Sequence, residues 1–113
     1  MTKKQAAIGI PFDTWSGRFF MALRPARKEH YPLYWEFPGG HVEAGEDAHE
    51  CMIRELKEEI GIDVKQDEFL MHGKGPIFDL HVFLVTAWTG EIGIREDQLD
   101  SKWYTPDEGK CDQ

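Results

Sequence analysis

The segment "EDAHECMIRELKEEI", residues 46–60, constrains the fold most, because it is the stretch with the clearest helical pattern. Asp47 can accept a hydrogen bond from the first turn, and Glu50, three residues later, can return one, as in a capping box. Gly61 can supply a left-handed C-terminal cap. At about 100° per residue, one broad face is apolar and carries Met52, Ile53, Leu56 and Ile60. The sequence therefore predicts an amphipathic helix with defined ends that packs against a core.

Segments typical of β-strands lie on both sides of this helix. They are residues 4–12, 18–24 and 34–37 before it, and 80–88 and 102–105 after it. Strands, one helix and further strands predict an α+β (mixed α/β) fold, and 113 residues predict a single domain, residues 1–113. Ten mostly polar residues follow Trp103. We therefore expect the C-terminal helix to be short or missing, and one sheet face to be covered by loops or by a partner chain.

The net charge of −8 limits the choice of partner. A surface with this charge repels polyanions, so we expect no binding to a nucleic-acid polymer. No apolar stretch approaches the ~18 residues of a membrane span, and we expect no membrane association. Two cysteines without metal or disulfide spacing favour a reducing, cytoplasmic setting. If the ligand is nevertheless anionic, a divalent cation has to bridge the negatively charged protein and the negatively charged ligand.

Three glutamates crowd the end of the predicted helix. Glu55, Glu58 and Glu59 are spaced i, i+3, i+4 and share one arc of its surface. A like-charge i, i+4 pair costs a few tenths of a kcal/mol, and the helix C-terminus disfavours negative charge. Solvated glutamate faces are common, but converging carboxylates are also the hard oxygen ligands that Mg²⁺ accepts. Helix geometry alone leaves both interpretations open.

The spacing of the motif decides between them. Five residues separate Gly40 from Glu46, seven more lead to the pair Arg54-Glu55, and "LKEEIGI" follows to residue 62. This matches the Nudix box, G-x5-E-x7-R-E-U-x-E-E-x-G-U with U apolar, over residues 40–62. The chain thus resembles the Nudix hydrolase family, and the preceding "WEFPGG" is similar to its MutT-like branch, diphosphatases of nucleoside triphosphates such as 8-oxo-dGTP.

The resemblance implies a Nudix fold, a mixed β-sheet sandwiched by helices, and a nucleotide substrate. It also implies Mg²⁺ as the cofactor, with Mn²⁺ as a substitute. The implied metal-binding residues are Gly39 (through its carbonyl), Glu55, Glu58, Glu59 and Glu96. The number of metals, the base preference and the oligomeric state stay open, a homodimer included.

Catalytic and structural roles also follow from the resemblance. Glu55 is expected to accept the proton of the attacking water, with Glu96 or Glu58 as rivals, and Arg54 to orient it. The implied structural residues of the loop and helix end are Gly40, Gly45, Glu46 and Gly61.

Four residues are candidates for substrate binding: Arg24, Glu36, His41 and Phe78. Arg24 is equally well a surface arginine, and Glu36 is equally well a solvent-facing strand residue. An apolar aromatic near a strand start, such as Phe78, is more often a core residue. His41 departs from the family, where a lysine is common; a histidine is mostly neutral at pH 7.

Other functions remain to be weighed against nucleoside triphosphate hydrolysis. One is a Nudix hydrolase acting on unmodified or pyrimidine dNTPs, or on ADP-ribose, since Pro76 lies where ADP-ribose enzymes tend to carry a proline. Another is a noncatalytic nucleotide sensor. The intact set of box glutamates argues against a sensor.

Overall fold

The computed structural model of the protein describes residues 4–23, 35–76, 78–93 and 101–105. Within them, seven strands and one helix follow one another along the chain. They are β1 (Lys4–Asp13), β2 (Arg18–Leu23), β3 (Trp35–Glu36), β4 (Gly39–His41), α1 (Ala48–Ile60), β5 (Asp63–Lys74), β6 (Phe78–Thr89) and β7 (Ser101–Tyr104). The C-terminal tail, for which the sequence predicts no substantial helix, lies outside the described residues.

Strand β1 is the centre of a mixed sheet. The order is β3-β2-β1-β6-β5, with β4 also paired to β1 and β7 to β2. β1 and β6 run parallel over eight residue pairs, from Lys4–Phe78 to Pro11–Val85, and the other pairs are antiparallel. The predicted α+β fold with a mixed sheet is confirmed.

Helix α1 covers one face of this sheet and comes very close to β1. A Cβ on Gly9 would lie 2.9 Å from side-chain atoms of Leu56 and Met52, so the glycine lets the helix approach. The core that results is formed by Ala7, Phe20, Cys51, Met52, Leu56, Ile60, Ile62, Phe83 and Val85. Ile53, predicted on the apolar face, is only partly buried, and Cys51 takes part in its place.

Both predicted ends of the helix are confirmed. The Asp47 carboxylate accepts a hydrogen bond of 2.8 Å from the Glu50 N–H, and the Glu50 carboxylate accepts one of 2.9 Å from the Asp47 N–H. Gly61 has φ of +76° and donates its N–H to the Lys57 carbonyl at 3.1 Å. These caps fix where α1 begins and ends, and therefore where its glutamates lie.

Two strands were not expected from the sequence. β4 forms at "GGH", immediately after the break at Pro38, because Gly39 and Gly40 pair with Ile8 and Ala7 of β1. β5 has twelve residues, most of them exposed, at the end of the strand order. The sequence of β5 lacks the alternation of apolar and polar residues that predicts a strand, because an exposed edge strand buries few of its side chains.

Within the described ranges, no helix has the length and apolarity needed to cross a membrane.

Candidate active site

The loop between β4 and α1 is fastened to the helix by Arg54. Its Nη2 donates to Glu46 Oε1 at 2.7 Å and its Nε to Glu46 Oε2 at 3.1 Å, which is a bidentate pair. The same Nη2 donates to the His41 carbonyl at 3.2 Å. Two-point contacts of a guanidinium are both stronger and more directional than single ones. Arg54 therefore sets the distance between the helix and the end of β4.

This pairing changes the acid–base behaviour of both partners. Hydrogen bonds from Arg54 and from the Glu43 N–H, the latter 2.9 Å long, lower the pKa of Glu46 from 4.5 to about 2. The hydrogen bond to Glu46 raises the pKa of Arg54 above its ordinary value. Glu46 is therefore ionised at any pH at which the protein works. The turn it holds includes Gly45, whose φ of +86° suits glycine.

The same arginine also reaches two of the three glutamates at the C-terminal end of α1. Its Nη1 lies 3.1 Å from Glu58 Oε2 and 3.5 Å from Glu55 Oε2. The side chain of Glu55 is 13% exposed and that of Glu58 is 47% exposed. Arg54 thus holds the side chains of Glu55 and Glu58 in place on α1.

Glu55 lies directly against the backbone of Gly40. A Cβ on Gly40 would occupy the space of the Glu55 carboxylate. The Gly40 carbonyl also accepts a hydrogen bond of 3.5 Å from the Cys51 thiol. Burial, followed by the nearby charge of Glu46, raises the pKa of Cys51 to about 11, so the thiol stays protonated and can donate. Only a glycine at position 40 leaves room for this arrangement.

Glu59 makes the equivalent contact one residue earlier in β4. Its Oε2 accepts a hydrogen bond of 2.8 Å from the Gly39 N–H. Glu59 is 8% exposed and is the one charged residue classed as buried within the described part of the chain. Burying a carboxylate is costly unless partners compensate it. The Gly39 N–H is one such partner, and it fixes the Glu59 carboxylate beside β4.

The structure brings Glu55 and Glu59 side by side, since they reach adjacent glycines from one helix face. The described residues contain no group of three acidic, histidine or cysteine side chains already arranged around a common point. Joint metal binding by the three glutamates therefore stays a prediction, and Arg54 Nη1 contacts both Glu58 and Glu55. The donor set is nonetheless hard, anionic and oxygen-based. The residues next to it, Gly39 and Gly40, carry no Cβ atoms. These residues fit a divalent cation such as Mg²⁺.

The candidate substrate residues have different outcomes. His41 and Phe78 lie together, with ring centroids 5.9 Å apart in an edge-to-face arrangement, and both are exposed. Glu36 lies in β3, where its backbone pairs with Ala22 of β2. The side chain of Glu36 is not described. Arg24 and Glu96 lie outside the described residues.

Sequence reasoning did not single out Cys51 as part of this site. It occupies an unspecified position of the box, and its pattern marks it only as an apolar helix residue. The contact with Gly40 depends on the position of β4 under the helix, which the pattern of the sequence does not give.

The comparisons with known proteins agree with this geometry. The model of the NUDIX domain matches residues 3–112. An 8-oxo-dGTP diphosphatase of Proteus vulgaris is 44% identical over 94 residues, which cover 80% of this chain and 82% of that protein. A CTP pyrophosphohydrolase of Escherichia coli is 34% identical over 96 residues, covering 81% and 70%.

Solved structures are similar as well. A MutT structure from a study of Aliivibrio salmonicida and Vibrio cholerae superimposes with a TM-score of 0.82 at 36% identity, covering 92% of this chain and 81% of that one. The chain belongs to the Nudix family, and within it to the MutT-like proteins. It is a Nudix diphosphatase, a class of enzymes that generally use a divalent metal.

Proposed function

We propose that the protein is a Mg²⁺-dependent diphosphatase that hydrolyses a nucleoside triphosphate to the monophosphate and pyrophosphate, with 8-oxo-dGTP as the first candidate substrate. The observation that carries this proposal is the pair Glu55 and Glu59, held side by side against Gly40 and Gly39. The name of the Proteus vulgaris relative supports the choice of substrate.

The proposed metal ligands are Glu55, Glu58, Glu59, the carbonyl of Gly39 and, outside the described residues, Glu96. Bound there, Mg²⁺ would neutralise phosphate charge, lower the pKa of the attacking water and support the leaving group. Mn²⁺ has the same preference for oxygen ligands and can replace it. The −8 charge of the chain is compatible with this substrate, which arrives together with the cation.

The protein side chains have separate tasks in the reaction. The oxygen of a water forms a bond to phosphorus, the bridging P–O bond between the α- and β-phosphates breaks, and pyrophosphate leaves. We assign the proton of that water to the Glu55 carboxylate. Arg54, 3.5 Å from Glu55 and paired with Glu46, keeps that carboxylate oriented. Positioning of this kind is most of what a phosphoryl-transfer site can contribute.

Substrate binding is assigned to the surface next to β4. The missing Cβ atoms of Gly39 and Gly40 leave space that Ala7, Ile8 and the Glu55 carboxylate fill, so the phosphate chain is assigned to the side of Glu55 and Glu59 rather than to the glycines. His41 and Phe78 present an aromatic pair that can stack on a base, with Arg24 and Glu36 as further candidates. In this proposal residues 1–113 form one Nudix domain, acting on the nucleotide pool of the cytoplasm.

A pyrimidine triphosphate is the second candidate substrate. It is favoured by one observation, the similarity to the CTP pyrophosphohydrolase of Escherichia coli. ADP-ribose has weaker support, since it rests on the position of Pro76 alone.

A substrate panel tests the proposal. Pyrophosphate release is measured for 8-oxo-dGTP, the unmodified dNTPs, CTP and ADP-ribose with Mg²⁺, for the wild type and for Glu55→Gln. We expect turnover of a triphosphate, and a loss of about 10²–10⁴-fold in kcat for Glu55→Gln, the usual contribution of a general base. Glu91→Gln, an exposed glutamate beyond β6, is the matched control and should retain full activity. Unchanged turnover in Glu55→Gln would remove Glu55 from the mechanism, and no turnover in the wild type would favour a nucleotide sensor.

A further inference from the structure

Strand β5 is an open edge with an apolar centre. It ends the strand order, and in the part of the chain that the structure describes it pairs only with β6. At its centre, Phe69, Leu70 and Met71 are 55%, 46% and 55% exposed. Unpaired backbone groups on an edge are a template for another strand, and exposed apolar side chains mark contact surfaces.

We propose that β5 pairs in antiparallel fashion with β5 of a second copy of this chain, about a two-fold axis between Leu70 and Met71. Such an interface is isologous, so the strand has to be complementary to itself. The face of the sheet on which each β5 side chain lies shows whether the strand is self-complementary.

A bulge places two of these side chains on the face away from α1. Phe69 pairs with Phe83, whereas Met71, two residues on, pairs with the very next partner, Val82. Leu70 is thus the extra residue of a β-bulge and shares Val82 with Met71. A β-bulge often protects an edge strand from pairing with other strands. At the two-fold axis, however, the bulge of one copy lies opposite the same bulge of the second copy.

Two aromatic side chains lie on the opposite face, under α1. The Phe69 ring is 5.6 Å from Phe83, which belongs to the core that α1 covers. His72 stacks on His81 with centroids 4.4 Å apart, and His81 precedes Phe83 by two residues, so it lies on the same face.

Two charged side chains share this face with them. The Asp67 carboxylate bonds His49 Nε2 of α1 at 2.9 Å, which holds it on the helix side. Lys74 follows His72 by two residues in the strand, pairs with Asp79 and is exposed.

The proposed axis makes three pairs of side chains complementary. Leu70 lies opposite the second copy's Met71, Phe69 opposite its His72, and Asp67 opposite its Lys74. In each pair the two side chains lie on the same face, and symmetry repeats each pair. A shift by one residue would place Phe69 opposite Met71, which lies on the other face.

The charge distribution also favours this edge. The whole chain carries −8, which repels a second copy over most of its surface. β5 contains two lysines and three acidic residues, a net charge of −1, so two copies can approach here with little repulsion.

Sedimentation velocity of the full chain, over an about hundredfold range of concentration, tests the proposal. We expect a reversible monomer–dimer equilibrium. Lys74→Glu, which places two acidic side chains opposite each other, should raise the dimer dissociation constant by about tenfold or more. Leu70→Glu, with a charge at the axis, should leave only monomer. Circular dichroism confirms that each variant is folded.

Charge exchange identifies the register. Asp67→Lys alone should also weaken the dimer, and the double variant Asp67→Lys with Lys74→Glu should restore it. Trp15→Ser, which removes an aromatic residue that is 94% exposed, is the control and should leave the equilibrium unchanged. A monomer at every concentration, or a dimer insensitive to Lys74→Glu and Leu70→Glu, would overturn the proposal.

Discussion

The carboxylate of Glu59 accepts a 2.8 Å hydrogen bond from the backbone N–H of Gly39, although twenty positions separate the two residues. This bond joins the last turn of the Nudix box helix to the strand that precedes it. One turn earlier, the Glu55 carboxylate lies against Gly40, in the space that a Cβ would occupy. Helix α1 and strand β4 are therefore parts of one site, and each can be tested by a small change.

Removing the charge of Glu59 should weaken metal binding while keeping the fold. Glu59→Gln retains an oxygen that can accept from the Gly39 N–H, but it removes the negative charge proposed to hold Mg²⁺. We expect the Mg²⁺ concentration for half-maximal activity to rise by about 10–100-fold. A metal titration of the rate measures this, with Glu91→Gln as the control. An unaltered metal requirement would exclude Glu59 as a ligand.

Adding a methyl group to Gly40 should displace Glu55. In Gly40→Ala the new Cβ would occupy the space of the Glu55 carboxylate, so the helix or the side chain has to move. A displacement of about 1 Å in a catalytic group costs about 10²-fold in rate, which is the expected loss of kcat. Gly93→Ala is the matched control, because a Cβ there would meet nothing within 4 Å. Equal activity of the two variants would contradict the close contact.

The pair Glu46–Arg54 should make stability depend on pH in acid. The pKa of Glu46 is lowered from 4.5 to about 2 in the folded protein, so the unfolded chain takes up the proton first. The stabilisation is complete above pH 4.5 and is lost as the pH falls toward 2. Urea unfolding of Glu46→Gln and wild type should therefore differ at pH 7 and converge in this window.

Glu43→Gln is the control for that experiment. Glu43 lies 3.8 Å from Arg54 with its side chain 69% exposed, and solvent screens such a pair. Its removal should change stability little at any pH. A pH profile of Glu46→Gln parallel to that of the wild type would show that the pairing does not shift the pKa of Glu46.

Local signals were enough to predict the helix and its residues. Asp47 and Gly61 define the ends of α1 because capping depends on side chains and φ angles within a few positions of the chain. The mixed sheet followed from the order of apolar segments and from the family resemblance. The predictions of the helix and of the mixed sheet both rest on patterns within short stretches of the sequence.

Contacts between distant segments were not predictable in the same way. The pairing of Gly39 and Gly40 with β1, the contact of Cys51 with Gly40 and the strand β5 all depend on partners far along the chain. Glycines have low strand propensity, and the exposed β5 has no apolar period, so neither has a local signal. The contacts of Arg54 with Glu58 and Glu55 depend on the position of its guanidinium, which helix geometry alone does not give.

Analysis of the products of triphosphate hydrolysis by ³¹P NMR tests the central claim most directly. With Mg²⁺ present, we expect the substrate identified in the panel to be converted to the nucleoside monophosphate and pyrophosphate, and a chelator to stop the reaction until the metal is restored. Release of orthophosphate with a nucleoside diphosphate, or turnover unaffected by chelation, would contradict it.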